Sequence, residues 1–302
     1  MIQRRRALRR PAELVVAHAR ARRATAAVAC TLALLLAACG SAPPPPQNPT
    51  QQSAATLAQA AARAWARHDA AQARALYERA LAAAESVEDF DLAGTMLLNL
   101  ALVQGASGDL VGAQARVDRI VNAPQRYGAA LVARASTRKA LLYLDVPDDS
   151  AALTWADRAQ AACATPCALD ATLSNLRAHV ALNRGDSNGA VQWATRAATQ
   201  AGEQTAEQAN ALRLLGRART KLGQGDAAAV ALAQALAIDR KLGLSDRVAL
   251  DLVDAADNEA VRGQAAAARD FYERAIDVYT AAGNAKAADA VRQRMAALPA
   301  PR

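Results

Sequence analysis

Residues Leu212–Asp239 read LRLLGRARTKLGQGDAAAVALAQALAID. Two segments with apolar residues at helical spacing flank a short break, GQGD, and neither alternates as a strand would. Glycine ends a helix by entering the left-handed conformation, and aspartate caps the helix that follows. The stretch therefore predicts a helix, a tight turn and a second helix folded back on the first. Its small residues stand in register: Gly216 in the first segment, then Ala228 and Ala235 in the second.

That register recurs through the chain. Six turn-like segments, RHDAAQAR, SGDLVGAQ, VPDDSAAL, RGDSNGAV, GQGDAAAV and RGQAAAAR, each open an alanine-rich helix. Their key alanines are Ala73, Ala113, Ala152, Ala190, Ala228 and Ala268, spaced 38 to 40 residues apart. Seven residues beyond them lie Ala80, Ile120, Ala159, Ala197, Ala235 and Ala275, and twelve before them lie Ala61, Ala101, Ala140, Ala178, Gly216 and Ala256. LYERAL at 76–81 returns as FYERAI at 271–276. Alanine, 85 of 302 residues, loses no side-chain entropy in a helix and allows close helix approach. A fixed period on this scale is the signature of stacked helical units sharing one core.

The pattern resembles the tetratricopeptide repeat, over about Ala54 to Ala282. The resemblance implies small residues where helix A crosses helix B. Between the two helix B alanines it implies a larger residue, here Tyr77, Val117, Ala156, Ala194, Leu232 and Tyr272. The usual period is 34, so a period near 39 predicts longer helices; HEAT-like repeats, which share the longer period, are the alternative fold. The expected architecture is all-α: a right-handed α-solenoid of about six such helix pairs over 54–283. An amphipathic capping helix over 284–298 and a tail, 299–302, follow.

Before the repeats comes a different composition. Residues 1–38 hold eight arginines and one acid, a net +7, while the remainder carries +1, so the overall +8 is no general claim on nucleic acid. A basic stretch, an apolar run of about 15 residues and a small-residue end have the order of a secretory signal peptide; a retained signal anchor is the other reading. LAAC, ending at Cys39, resembles the lipobox of bacterial lipoproteins. That resemblance implies cleavage before Cys39 and acylation of its thiol and new amino group. Gly40, where an aspartate often signals inner-membrane retention, implies the outer membrane, periplasmic face. Residues 39–53, rich in proline, form the expected tether.

Little in the chain promises chemistry. No HExxH, phosphate-binding glycine loop or nucleophile elbow occurs, and only His68 and His179 follow the leader. No enzyme, metal or cofactor is expected beyond the lipid on Cys39. Asp251, Asp254 and Asp257 fall on one helix and read as a solvated face. In CATPC, Cys163 and Cys167 are close enough for a disulfide in an exported chain; free thiols and redox or metal chemistry are the alternatives. Trp155 and Trp193, 38 apart, read as packing between repeats or as an exposed ladder for a partner.

The repeat resemblance places helix A on the inner face. Carried over by position, that face presents Arg134, Thr137, Arg138, Asn175, His179, Asn210, Arg213, Arg217 and Lys221. Arg213, Arg217 and Lys221 share one helical row. They would suit a carboxylate-bearing peptide, or form a plain solvated basic face. The expected function is a protein-binding scaffold in cell-envelope assembly, with a protein or peptide partner in the periplasm. The alternative is a groove for a small molecule or glycan.

Overall fold

A computed structural model describes residues 48–299. Signal peptide, Cys39 and most of the tether lie outside that range. Thirteen helices and no strand occur among the described residues. They are α1 (Pro49–Ala66), α2 (Ala70–Glu85), α3 (Phe90–Ala106), α4 (Leu110–Val121), α5 (Pro124–Asp145), α6 (Asp149–Ala162) and α7 (Asp170–Asn183). Then come α8 (Ser187–Gln200), α9 (Ala206–Lys221), α10 (Gly225–Lys241), α11 (Ser245–Val261), α12 (Ala265–Ala281) and α13 (Ala285–Ala296). Each odd-numbered helix up to α11 packs with its successor, giving six A–B pairs, and α13 closes the stack on α12. Successive A helices also touch, α7 with α9 and α9 with α11.

Every alanine and the isoleucine of the three repeating positions is fully buried. Gly216 shows why the crossings must be small. A Cβ there would stand 2.5 Å from Cγ of Leu232, itself almost completely enclosed. The larger helix B residues, Tyr77, Val117, Leu232 and Tyr272, fill the space beside these crossings.

The turns work through backbone and cap together. Asp69, Asp89, Asp109, Asp148 and Asp186 each accept a backbone N–H three residues on, satisfying a donor that the first helical turn leaves free. Arg184–Asp186, RGD in sequence, is such a turn. The fifth pair departs from expectation: α10 starts at Gly225, so Asp226 lies inside its first turn and caps nothing. α1 likewise starts earlier than expected. Residues 49–53, assigned to the tether, are helical, because Pro49 suits the first helical position, where no N–H is needed. Gly128, at φ 72° and ψ 165°, bends α5 after its first turn, a conformation that needs glycine.

Cys163 and Cys167 are disulfide-bonded, their Cα atoms 5.5 Å apart, in the link between α6 and α7. The two tryptophans are half-buried and each has two cations close to its ring. Lys139 and Arg158 stand 4.2 and 4.8 Å from the Trp155 ring, and Arg177 and Arg196 stand 5.2 and 5.6 Å from that of Trp193. Tryptophan and both cations recur 38 residues apart, so this is repeat packing reinforced by cation–π contact rather than an open ladder. No described helix is long and apolar enough to cross a membrane.

Candidate functional site

The A helices turn one side toward a groove of about 630 Å³, lined by α7, α9, α11, α12 and α13. Its walls include His179, Asn210, Arg213, Arg217 and Lys221, five of the residues that the sequence placed on the inner face. A smaller cleft of about 200 Å³ adjoins it, sharing His179, Asn210 and Leu214 and adding Asn175. Arg134, Thr137 and Arg138 line neither. Thr137 is buried and donates its hydroxyl to the Ala133 carbonyl oxygen in its own helix. Arg138 is half-buried beside Arg134, which is exposed.

The retained residues do not play equal parts. Asn175 is buried and donates its amide to the Glu207 carbonyl and carboxylate, both at 3.1 Å, tying α7 to α9. Arg213 is also buried, which corrects its expected place on an open basic stripe. Its Nε donates to Asp251 at 2.9 Å and its Nη2 to Asp239 at 3.5 Å, and both carboxylates are fully buried. One guanidinium thus serves two carboxylates across the fifth and sixth pairs. Burial pushes both carboxyls above the ordinary range, and Arg213 opposes this. Each acid keeps one buried oxygen without a donor, Oδ1 of Asp239 and Oδ2 of Asp251. A single proton held between the two would serve both oxygens and remove one of two like charges.

Asp251, Asp254 and Asp257 therefore form no solvated face. Asp251 is enclosed, and Asp254 sits in the groove wall 3.7 Å from Arg217. Asp257 accepts the Tyr272 hydroxyl and pairs with Arg294 of α13 at 3.1 Å. Burial drives the Asp254 carboxyl up to about 6, against the pull of Arg217 and Arg213. His179 moves the other way: burial, with Arg217 adding to it, holds its imidazole below the ordinary value. It is a neutral wall residue at pH 7. Lys221 is exposed at the groove edge. Leu214, Leu250, Val253, Tyr279 and Val291 supply apolar surface, and Leu250 is the most open of them at 44% exposure.

Reading by position missed the acids that neutralise Arg213. A usable signal was present, since Arg213 and Asp251 are 38 residues apart, one period, as are Thr220 and Asn258, which are also hydrogen-bonded. Residues one period apart in a stack are neighbours, so opposite charges at that spacing predict a bridge.

No family model matches the sequence, and no curated protein does. Solved structures do match in shape. A chain of the APC/C hetero-tetramer Cut9–Hcn1 is 16% identical, with a TM-score of 0.61, over 80% of this chain and 44% of that one. Rap protein complexed with Competence and Sporulation Factor gives 13% and 0.58, over 78% and 69%. Aspartyl phosphate phosphatase F from Bacillus subtilis gives 13% and 0.52, over 69% and 57%. This chain thus spans less than half of the first of these. At such identities the likeness speaks for architecture alone, and with six A–B pairs crossing at small residues it makes the fold an all-α, tetratricopeptide-like helical-repeat solenoid.

Proposed function

We propose that this protein is a non-catalytic adaptor that holds a segment of another protein in the groove of its A helices. It is displayed from the periplasmic face of the outer membrane by a lipid on Cys39. The groove carries the reading: about 630 Å³, long-walled, with an apolar floor beside separated charges, as a side-chain-bearing polypeptide requires. Tyr279 is the only aromatic residue in its lining, so the stacking rings a glycan would use are scarce. Support also comes from two neighbours of the same fold, one part of a hetero-tetramer and one complexed with a factor. The anchor rests on LAAC at the end of an apolar run, and a role in envelope assembly rests on that placement.

Two experiments separate these parts. Cys39→Ser should abolish acyl labelling and free the protein from membranes; labelling that persists would remove the lipid anchor. Leu250→Glu puts a like charge beside the groove's cations, where a bound segment would pack, and leaves the buried crossings untouched. It should abolish co-purification of the envelope partner with circular dichroism unchanged. Undiminished co-purification would move the interface off the groove.

A further inference from the structure

Four cations line the larger groove, Arg213, Arg217, Lys221 and Arg294, against two carboxylates, Asp254 and Asp257. Their commitments differ. Arg213 is committed to the enclosed Asp239 and Asp251. Arg294 is paired with Asp257 at 3.1 Å. Arg217 reaches Asp254 only at 3.7 Å, beyond hydrogen-bond distance. Lys221 has no ion-pair partner among the described residues. Arg217 and Lys221 lie one turn apart on the same row of α9. Next to these two under-used cations lie Leu250 and Val253 of α11, apolar and, in the case of Leu250, open to solvent.

We infer that the groove's occupant is an acidic peptide segment of the partner, with one carboxylate between Arg217 and Lys221 and an adjacent apolar side chain on Leu250 and Val253, and that Asp254 is a built-in competitor displaced from Arg217 on binding. The inference rests on the groove reading above and specifies its chemistry. Charge complementarity argues for it: the lining has an excess of cations, and the two without a close partner adjoin the apolar floor. A guanidinium pairs a carboxylate in two-point geometry, which the 3.7 Å contact with Asp254 does not achieve.

Displacement is cheap because Asp254 is already poorly solvated, and its carboxyl takes a proton near pH 6. An incoming carboxylate takes Arg217, and Asp254 takes a proton from solvent. Binding therefore consumes a proton and strengthens as pH falls toward about 6, levelling off below it where Asp254 is already protonated in the free protein, while the ligand's own carboxyl, near 4, stays ionised. The groups around Asp254 leave this sign intact. Arg213 and Arg217 face it from α9, Arg294 from α13 and Tyr279 from α12, while Asp251 and Asp257 flank it on α11. His179 also lines the groove; burial holds its imidazole below the ordinary value, and a proton gained there at low pH adds positive charge and acts in the same direction.

The test is selection of randomised decapeptides on the full-length protein at pH 5.5, with the Leu250→Glu variant as counter-selection. Enriched peptides should carry Asp or Glu beside a large apolar residue. A synthetic copy should bind about three- to tenfold tighter at pH 5.5 than at 7.5. Its Glu→Gln or Asp→Asn counterpart should lose about tenfold or more. Asp254→Asn should bind the acidic peptide tightly at both pH values, and Arg217→Gln with Lys221→Gln should lose it while the helical signal persists. Groove-dependent peptides without an acid would overturn this inference and leave the groove reading standing. Acidic peptides bound equally at both pH values would overturn the competitor role of Asp254. No peptide whose capture depends on Leu250 would overturn both readings.

Discussion

At the scale of single residues, the smallest positions are the least replaceable. Gly216→Ala drives a methyl into Leu232, whose Cγ would stand 2.5 Å away and whose side chain is almost completely buried. The expected cost is about 1–3 kcal/mol, read as a lowered midpoint in urea denaturation. A neutral outcome would mean that the crossing is looser than its burial indicates. The carboxyls of α11 make a second residue-level prediction, on pH. In Asp251 and Asp254 the folded state holds a proton more tightly than the unfolded chain does. Their contribution to stability is full below the ordinary carboxylate range and is lost as pH climbs through about 6 and above. Melting temperature should therefore fall between pH 5 and pH 8, and Asp251→Asn should flatten that fall. Such pairings were only half legible in the sequence. Alanine at a crossing declares itself, because no other feature demands a small residue every 38 to 40 positions. Arg213 does not declare itself on its own helix row, where it looks like any solvated charge; only the opposite charge of Asp251, one period on, marks it.

At the scale of elements, caps and turns carry predictions of their own. His68 takes φ 61° at the turn between α1 and α2, where Gly185 and Gly263 serve at equivalent turns. A side chain in that conformation costs about 1 kcal/mol or more, so His68→Gly should raise the denaturation midpoint. Asp186→Ala removes the cap of α8 and should lower the unfolding free energy by about 1 kcal/mol, shifting the midpoint down. Chemical denaturation of both variants gives the comparison; equal midpoints would mean that neighbouring repeats, not local turns, set the stability of these pairs. Pairing and order of the helices were readable from the turn segments. The ends were less so: α10 starts one residue before its aspartate and α1 starts five residues early, because glycine and proline can open a helix without a side-chain cap.

At the scale of the whole molecule, pairs of helices that cannot bury their faces alone stack into a run of apolar clusters and leave a groove along α7, α9 and α11 to α13. The location of that groove on the A helices follows from the repeat, and five of its residues were legible from position alone. Its acid side was not, since Asp254 and Asp257 become wall residues only when α9 and α13 close around α11. The central claim is that a partner lies along the A helices and not across the outer B helices. The direct measurement is in-cell photo-crosslinking of the full-length protein from single positions. Asn210 and Leu250 report on the groove, and Val111 and Val230, exposed on α4 and α10, report on the B helices. Adducts of one defined partner from Asn210 and Leu250, with none from Val111 or Val230, are the predicted result. Adducts from Val111 or Val230 with none from the groove would contradict it.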